Sequence, residues 1–336
     1  MSSDTEATVI VQRQGRIGRL TLNRPKFLNA VDRGMLQKVR HALGVWRDDP
    51  AVHAVVIEGA GGRAFCAGGD IRWLHDMALV GRYVETDAFF AEEYALNLAI
   101  ARYPKPYVAL INGVCMGGGM GLSVHGSIRV VSEGALLAMP ETSIGFFPDV
   151  GASFILPRLR PGFGMLLGLT GTRVNAADAM FLGLATHYIG CSNFSDLIDA
   201  IAENGLAALA LATVPAPSSA LIELVDAVQC FNAHSFVEII AGLEALSNDW
   251  SRNTLSILRT MSPSAVLWSF ELMRRGAIQT LEQCLTAELT LSRYVSRHPD
   301  LREGVRAMVI DKDRKPHWTP ARFADVDTAA IAKLFP

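Results

Sequence analysis

The first half of the chain alternates between short apolar runs and segments in which apolar residues recur at helical spacing. These two patterns predict strands and amphipathic helices, respectively. The predicted strands lie at residues 8–12, 19–23, 54–58, 107–112 and 128–132, and the predicted helices at 29–48 and 86–102. The first two strands flank a glycine-containing turn and predict a hairpin. The remaining alternation predicts parallel strands joined by helical crossovers, which is an α/β fold.

Beyond about residue 190 the pattern changes to helices alone. Residues 195–262 are rich in Ala and Leu, and residues 264–310 have the spacing of long amphipathic helices. Ser262 followed by Pro263 is typical of a helix start. We therefore expect two domains, an α/β core at residues 1–190 and a mainly helical region at residues 191–336 that packs on this core.

Composition narrows the class of protein. The chain of 336 residues is 50% hydrophobic and 19% charged, which excludes an intrinsically disordered chain. Its 31 basic and 33 acidic residues give a net charge of −2, so no basic excess is present to bind nucleic-acid phosphates. No window has the roughly 18 apolar residues of a membrane span. We therefore expect neither a nucleic-acid partner nor a membrane partner.

The cysteines and the N-terminal sequence predict a cytoplasmic protein. The 5 cysteines are odd in number and widely spaced, as in proteins of reducing compartments. Acidic residues come early in the chain and no apolar run of signal-peptide type follows them. No cysteine or histidine pair has the spacing of a zinc site, so no metal is expected.

Three glycine-rich segments, residues 59–70, 113–121 and 145–151, are candidates for ligand binding. Glycine permits unusual backbone angles and lets the backbone approach a ligand closely. Each segment follows, or nearly follows, a predicted strand, where α/β proteins place their binding loops. Exposed backbone N–H groups of such loops can face an anion.

Two short motifs within these segments resemble known sites but depart from them. Residues 59–64 have the spacing of a dinucleotide fingerprint, yet we expect the next helix to begin only near residue 70, which disfavours a nicotinamide site. Ser123 lies in a sequence close to the nucleophile elbow of serine hydrolases, but His125 replaces the final glycine. We interpret Ser123 as a small helix residue.

Glu141 and Asp149 are the strongest chemical signal. They lie in an apolar segment with glycine and proline close by. Two carboxyls in a partly apolar pocket can have separated pKa values, so that one acts as base or nucleophile and the other as acid. The alternative is structural, with Glu141 at a helix start and Asp149 in a turn.

Longer stretches of the chain resemble the enoyl-CoA hydratase/isomerase (crotonase) superfamily. Residues 20–30, 64–71 and 112–121 match its segments in order and at its spacing. Further segments resemble one branch of it, the 3-hydroxyisobutyryl-CoA hydrolases. These segments are residues 117–126, 139–151, 156–159, 169–171 and 303–313. The resemblance covers about residues 8–190 and 255–320 and is weak over about 191–250.

The resemblance implies a crotonase-like fold, a spiral of β-β-α turns with a helical C-terminal region, and substrates that are acyl thioesters of coenzyme A. It places an oxyanion hole at the backbone N–H groups of Gly69 and Gly118, where donors would meet the developing charge. The other substrate- and CoA-binding positions that it implies are Lys26, Ala64, Ala67, Gly68, Asp70, Ile71, Gly117 and Gly121. No cofactor is implied, because coenzyme A is part of the substrate.

The acidic positions distinguish the branches. Hydratases typically use two glutamates, of which one falls on Glu141 and the other on Gly121, which has no side chain. The hydrolase branch instead has its second acid at the position of Asp149. The resemblance therefore implies hydrolysis of a short-chain 3-hydroxyacyl-CoA, as in valine breakdown, in which Glu141 either attacks the thioester or activates a water.

Two other functions remain open at this stage. One is an enoyl-CoA hydratase or isomerase with divergent acids, and the other is a catalytically silent protein that binds acyl-CoA. Lys26 and Arg24 are candidates for contacts to CoA phosphates, with solvated surface charge as the alternative. Since family members often form trimers, a homo-oligomer is one option for the assembly.

Overall fold

A computed structural model describes residues 7–335 of the chain and divides it into two compact units. The early acidic residues that support the localisation prediction, Asp4 and Glu6, lie outside the described residues. The first unit comprises Met1–Gly69, Ala95–Leu137 and Val174–Ser218, and the second comprises Asp70–Tyr94, Ala138–Arg173 and Ser219–Pro336. Both units are assembled from separate stretches of chain, whereas the expected domains divide the sequence once, near residue 190. The expected domain division stays a prediction.

The secondary structure alternates between strands and helices up to β10 and is helical beyond it. The strands are β1 (Val9–Gln14), β2 (Ile17–Leu22), β3 (Ala54–Gly59), β4 (Ala64–Cys66), β5 (Tyr107–Ile111), β6 (Val114–Met116), β7 (Ile128–Val131), β8 (Leu136–Ala138), β9 (Val174–Asn175) and β10 (His187–Tyr188). The helices of the first half are α1 (Arg33–Arg47), α2 (Ile71–Leu79), α3 (Tyr83–Ala101), α4 (Gly118–Ser123), α5 (Ala152–Ile155), α6 (Phe163–Thr170) and α7 (Ala176–Leu182). Those that follow are α8 (Phe194–Asn204), α9 (Ala207–Ala212), α10 (Phe236–Leu246), α11 (Asp249–Thr260), α12 (Pro263–Gly276), α13 (Leu281–Val295), α14 (Pro299–Val305) and α15 (Thr328–Lys333).

Several single turns connect these elements. They are 3-10 helices at Pro25–Phe27, Glu141–Ile144, Leu156–Arg158, Cys191–Asn193, Ala220–Leu224, Ala227–Asn232 and Phe323–Asp325, and one π-helical turn at Arg306–Ile310. Among residues 7–335, no helix combines the length and the apolar character needed to cross a membrane.

Two sheets form the framework of the first unit. The larger has the strand order β1-β2-β3-β5-β7-β10, in which β1 and β2 form the antiparallel hairpin and the later neighbours are parallel. The smaller has the order β4-β6-β8-β9. Successive strands β3-β4, β5-β6 and β7-β8 each contribute one strand to each sheet, which is the expected β-β-α spiral. The predicted α/β fold is therefore confirmed.

The core of the first unit lies between the larger sheet and helix α8. Val56, Val108 and Val130, on adjacent parallel strands, belong to one fully buried cluster with Ile198 and Ile201 of α8. These strands are nearly continuous apolar runs because they carry buried side chains on both faces.

Helix α1 begins four residues later than the sequence predicts. Leu28 and Asn29 both have a positive φ, at 51° and 57°, which a right-handed helix does not allow. Asn29 is fully buried, and its amide donates to the carbonyls of Ala60 (3.0 Å) and Ala64 (2.9 Å). Asp32 then caps α1, because its carboxylate accepts from the backbone N–H of Met35 at 2.8 Å.

In the second unit, helix α12 begins at Pro263, as the sequence predicts. Ser262 caps α12 by accepting from the backbone N–H of Ala265 (3.1 Å), and its hydroxyl donates to the carboxylate of Asp300 (2.6 Å). Its own backbone N–H donates to the carbonyl of Thr142 (3.2 Å). The start of α12 is thus tied both to α14 and to the 3-10 turn that begins at Glu141.

The motif at residues 303–313 supports the same turn. A Cβ on Gly304 would lie 2.3 Å from the carbonyl carbon of Ile144, so only glycine fits where α14 crosses this turn. Arg306 then binds three acids, with ion pairs to Glu303 (2.8 Å), Asp311 (2.7 Å) and Asp313 (2.7 Å). This motif is therefore a structural support of the Glu141 segment.

We expect Gly304→Ala to lower the free energy of unfolding by about 1–3 kcal/mol, because the added methyl group overlaps the backbone of Ile144. Gly44→Ala is the matched control. Gly44 lies exposed within α1, and a Cβ added to it would meet no atom of residues 7–335 within 4 Å. Its replacement should therefore stabilise the protein by about 0.5–1 kcal/mol. Urea denaturation of the two variants measures both values, and equal effects would contradict the close contact.

Candidate active site

Two glycine segments of the first unit present backbone N–H groups close together. Strands β4 and β6 pair in parallel, and a Cβ on Gly68, just after β4, would lie 3.2 Å from the Met116 carbonyl and 3.6 Å from the Gly118 nitrogen. The φ of Gly68 is 109°, a conformation that favours glycine. Within residues 7–335, the N–H groups of Gly69 and Gly118 have no hydrogen-bond acceptor. Both are therefore available to an oxygen of a ligand.

The surrounding backbone fixes both N–H groups. Gly69 forms an isolated parallel bridge with Val31, whose N–H donates to the Gly68 carbonyl at 2.8 Å. Gly118 is the first residue of α4, so its N–H points out of the first helical turn. A Cβ on Gly119 would lie 2.3 Å from the Cys66 carbonyl, which shows that glycine is needed for α4 to pack against β4.

The remaining first-unit positions lie in or beside these segments. Ala64 is buried in β4, Ala67 is half-buried, Gly117 precedes α4 and has a φ of 48°, and Gly121 is buried within α4. Lys26 is exposed on the 3-10 turn Pro25–Phe27.

Arg24 is engaged locally, unlike the exposed Lys26. Its guanidinium donates to the Ala30 carbonyl at 2.7 Å and lies 4.8 Å from the centre of the Phe27 ring. Its contacts therefore favour a structural role.

In the second unit, Glu141 opens the 3-10 turn Glu141–Ile144 directly after Pro140. Its side chain is buried, and its Oε2 atom has no hydrogen-bond partner among residues 7–335. The neighbouring Thr142 holds the turn, since its hydroxyl donates to the Leu169 carbonyl at 3.1 Å. Glu141 is thus fixed by its backbone while one carboxyl oxygen is left for a reacting group.

Asp149 lies in the turn that leads into α5. The hydroxyl of Tyr94 donates to its Oδ2 atom at 2.7 Å, and both side chains are buried. Val150 follows with a φ of 52°, an uncommon conformation for a β-branched residue, and Gly151 has a φ of 84°. The turn is therefore strained where it presents Asp149.

Electrostatics link the two acids. Burial raises the pKa of Asp149 to about 7, although hydrogen bonds from Tyr94 and from its own backbone N–H lower it. Burial raises the pKa of Glu141 well above its ordinary value, and the charge of Asp149 raises it further. Like charges in a region of low dielectric cannot easily ionise together. An ionised Asp149 therefore disfavours ionisation of Glu141.

The sequence reasoning missed a third carboxyl, Glu93, which precedes Tyr94 on α3. Glu93 is 3% exposed, and its Oε1 atom has no hydrogen-bond partner within residues 7–335. Burial raises its pKa well above the ordinary value, and the charge of Asp149 raises it again. Tyr94 is buried in the core, and its hydroxyl nevertheless reaches Asp149, a contact that the sequence pattern alone does not indicate.

Aromatic rings surround this part of the second unit. Phe146 and Phe147 stack with centroids 4.5 Å apart, and Phe90 stacks on Phe146 at 5.4 Å. Trp73 and Phe89 extend the row at 5.9 Å. Apolar rings exclude water, and burial is the largest cause of the raised pKa values of Glu93, Glu141 and Asp149.

Asp70 and Ile71 lie at the start of α2 in the second unit. The Asp70 carboxylate accepts from the backbone N–H of Trp73 at 3.4 Å and caps the helix, so the expected helix start is confirmed. Because β4 follows Gly59 after a short turn, residues 59–64 do not lead into a helix and do not form a dinucleotide fingerprint.

Ser123 and the nearby cysteines have structural contacts. The Ser123 hydroxyl donates to the Gly119 carbonyl at 2.8 Å inside α4, as its interpretation as a small helix residue requires. Cys66 and Cys115 are buried, and burial raises the pKa of Cys115 to about 12. In the part of the chain that the structure describes, no group of three His, Cys, Asp or Glu residues has the arrangement of a metal site.

Comparison with known proteins identifies the class of enzyme to which this fold belongs. The sequence profile described as Enoyl-CoA hydratase/isomerase matches residues 17–335. The chain belongs to the enoyl-CoA hydratase/isomerase family.

Two curated relatives carry a more specific name. The mitochondrial 3-hydroxyisobutyryl-CoA hydrolase of Xenopus laevis is 40% identical over 345 residues, covering 97% of this chain and 88% of the relative. The protein of the same name from Homo sapiens is 40% identical over 341 residues with the same coverage. The resemblance to this branch therefore extends over nearly the whole chain.

Two solved structures share the fold. A carnitinyl-CoA dehydratase from Mycobacterium thermoresistibile has a TM-score of 0.94 and 37% identity, covering 98% of this chain and 97% of that one. An enoyl-CoA hydratase from Rhodobacter sphaeroides 2.4.1 has a TM-score of 0.93 and 38% identity with the same coverage. These matches confirm the crotonase-like fold.

Asp149→Asn should stabilise the protein more at pH 8 than at pH 5. The folded-state pKa of about 7 lies above the unfolded value of about 3.9, so the cost of ionising Asp149 grows as the pH rises from about 4 to 7 and is fully present above it. The variant removes this cost, and we expect the difference between the two pH values to be about 1–3 kcal/mol. Urea unfolding at both pH values measures it.

Asp226→Asn, at an exposed position, is the control and should show the same difference from wild type at pH 5 and pH 8. A pH-independent effect of Asp149→Asn would contradict the raised pKa of Asp149.

Proposed function

We propose that this protein hydrolyses a short-chain 3-hydroxyacyl-CoA thioester, most specifically 3-hydroxyisobutyryl-CoA, to the free hydroxy acid and coenzyme A. One observation carries the proposal: Glu141 and Asp149 are buried in the same unit and the charge of Asp149 raises the pKa of Glu141, while position 121 is a glycine. Relatives that are 40% identical, with matches covering 97% of this chain and 88% of each relative, are named for this hydrolysis. Valine breakdown is the setting that such a substrate implies.

Backbone N–H groups and carboxyl side chains would have separate roles in the reaction. The thioester carbonyl would bind the N–H groups of Gly69 and Gly118, which stabilise negative charge on the oxygen as the carbonyl is attacked. Glu141 either attacks the carbonyl carbon, forming a mixed anhydride, or removes a proton from a water that attacks it. The C–S bond then breaks, and Asp149 orients the substrate hydroxyl or the water and assists proton transfer to the leaving thiolate. Water supplies the oxygen of the product acid in the overall reaction.

These reaction steps require that Glu141 and Asp149 share one proton. A base and an acid are both present when one of the carboxyls is ionised and the other is protonated. Because the charge of Asp149 raises the pKa of Glu141, the pair favours the state that retains one proton. Position 121 is a glycine, so this chain has no second glutamate there to hold a water molecule. This absence disfavours the hydration mechanism that uses two glutamates.

Hydration or dehydration of an acyl-CoA is the second candidate. The solved structures with TM-scores of 0.94 and 0.93 are titled a dehydratase and a hydratase. A silent acyl-CoA-binding protein is the third, and the pair of buried, interacting acids argues against it, because unreactive proteins have no need of such a costly arrangement.

The remaining expectations complete the proposal. Catalysis needs no cofactor and no metal when backbone N–H groups stabilise the oxyanion. Lys26 and the segments at Ala67 and Gly117 would contact the CoA moiety. A cytoplasmic location and a homo-oligomeric assembly stay predictions, and the curated relatives are named as mitochondrial proteins.

Release of free thiol from 3-hydroxyisobutyryl-CoA tests the reaction. We expect wild-type protein to release thiol, and Glu141→Gln and Asp149→Asn each to lower kcat/KM by about 10²–10⁴-fold through loss of base or acid. Glu223→Gln, at an exposed position, is the control and should leave the rate unchanged. Hydration of crotonyl-CoA without thiol release would reject the hydrolase, and CoA binding without either turnover would favour the silent protein.

Single turnover in ¹⁸O-water separates the two routes of attack. Label found in the Glu141 carboxyl by mass spectrometry requires an anhydride whose glutamyl carbonyl is attacked by water. Label found in the product alone is expected when water attacks the acyl carbonyl, whether of the thioester or of the anhydride.

The pH dependence of kcat/KM follows from the shared proton. Below about pH 7 both acids are protonated and no base is present, so kcat/KM should rise with pH and be half-maximal near pH 7, where Asp149 ionises. At higher pH it should fall again as the second proton leaves the pair, because no acid remains. A profile without the rise near pH 7 would contradict the raised pKa of the pair.

A further inference from the structure

We propose that Glu288 is a positioning residue for the reaction, because its buried carboxylate holds the strained turn that presents Asp149. The role in catalysis depends on the proposed function, whereas the role in holding the turn does not.

Glu288 makes three hydrogen bonds to the segment that follows Asp149. Its Oε2 atom accepts from the backbone N–H of Gly151 at 2.7 Å. Its Oε1 atom accepts from the backbone N–H of Ser153 at 3.1 Å and from the Ser153 hydroxyl at 2.5 Å. Both carboxyl oxygens are therefore used on residues that lie two and four positions beyond Asp149.

The location of Glu288 within α13 shows that these bonds are specific. It occupies the buried face of this helix, between Leu285 and Leu291, and is 0% exposed. A carboxyl is rarely fully buried unless it is partnered, because removing it from water is costly. The three donors of the turn provide that partnership, and 137 residues separate Glu288 from Gly151 along the chain.

The turn needs such an anchor because its backbone is strained. Val150 and Gly151 have consecutive positive φ angles of 52° and 84°. A non-glycine residue in this region costs about 1–3 kcal/mol and persists only where the surroundings hold it in place. Glu288 binds the N–H of Gly151 and therefore fixes the second of these two residues directly.

Asp149 is consequently fixed from two sides. Tyr94 holds its carboxyl through the 2.7 Å hydrogen bond, and Glu288 holds the backbone behind it. Burial raises the pKa of Glu288 to about 8, hydrogen bonds from Ser153 and Gly151 lower it, and the charge of Asp149 raises it. The two carboxyls therefore interact electrostatically as well as through the backbone of the turn, because an ionised Asp149 disfavours ionisation of Glu288.

Glu288→Gln tests the role, since it keeps the size of the side chain but turns an NH₂ group toward N–H donors. We expect amide hydrogen exchange at residues 151–153 to become at least about tenfold faster. We also expect kcat to fall by about 10–100-fold with KM changed less than about threefold, because the acid is displaced and binding is not.

Ser292→Ala is the matched control. Ser292 is a buried polar residue on the same face of α13, and its hydroxyl donates to the Leu289 carbonyl (3.0 Å). Its replacement should leave both exchange at residues 151–153 and kcat unchanged. If Glu288→Gln fails to fold, Ser153→Ala removes one of the three donors and should shift both readouts in the same direction by a smaller factor.

A double-mutant comparison shows whether Glu288 acts through Asp149. In the Asp149→Asn background, Glu288→Gln should cause no further loss of kcat, whereas an unrelated structural effect would add to it. Unchanged exchange at residues 151–153 in Glu288→Gln would overturn the anchor. Faster exchange with unchanged kcat, or a fully additive loss, would overturn the positioning role. Wild-type protein without thiol release would count against the proposed function, and exchange would then decide the role of Glu288 alone.

Discussion

Repulsion between carboxyls buried together is the constraint on which the second unit depends. Glu93, Glu141, Asp149 and Glu288 all lie within it, and each is almost inaccessible to water. In such surroundings every ionised acid raises the cost of ionising the next one. The site therefore needs hydrogen-bond donors that decide which acid is charged. Tyr94 serves Asp149 in this way, and the turn at residues 151–153 serves Glu288.

The unequal distribution of donors gives the acids different properties. Glu93 and Glu141 each keep one oxygen without a partner in the described part of the chain, while both oxygens of Glu288 are bonded. An acid whose bonds are complete serves as a fixed support, and an acid with a free oxygen can bind or exchange a proton with a ligand. The first unit instead provides hydrogen-bond donors, the backbone N–H groups of Gly69 and Gly118, which do not ionise.

Local patterns were sufficient to predict most elements and to select Glu141 and Asp149 as candidates. The hairpin, the parallel strands, the start of α2 and the cap at Ser262 follow from neighbouring residues, and Glu141 with Asp149 was found from residue type and apolar context. The start of α1 was wrong because Asn29 bonds to carbonyls more than 30 residues away. Tyr94 and Glu288 were missed for the same reason, since their partners lie 55 and 137 residues away. A charged residue on the apolar face of α13 was the one signal that pointed to Glu288.

The interleaving of the two units has a consequence for how the chain reaches its native state. The chain passes from one unit to the other at residues 69–70, 94–95, 137–138, 173–174 and 218–219, so neither unit is a continuous segment. Contacts that join distant segments carry a large loop-closure entropy before they contribute stability, and chains rich in them fold slowly. The second unit cannot complete its fold until α13 has been synthesised and Glu288 has bonded to the turn after Asp149. On the emerging polypeptide, Glu93, Glu141 and Asp149 would therefore remain exposed to water until nearly all of the chain is available.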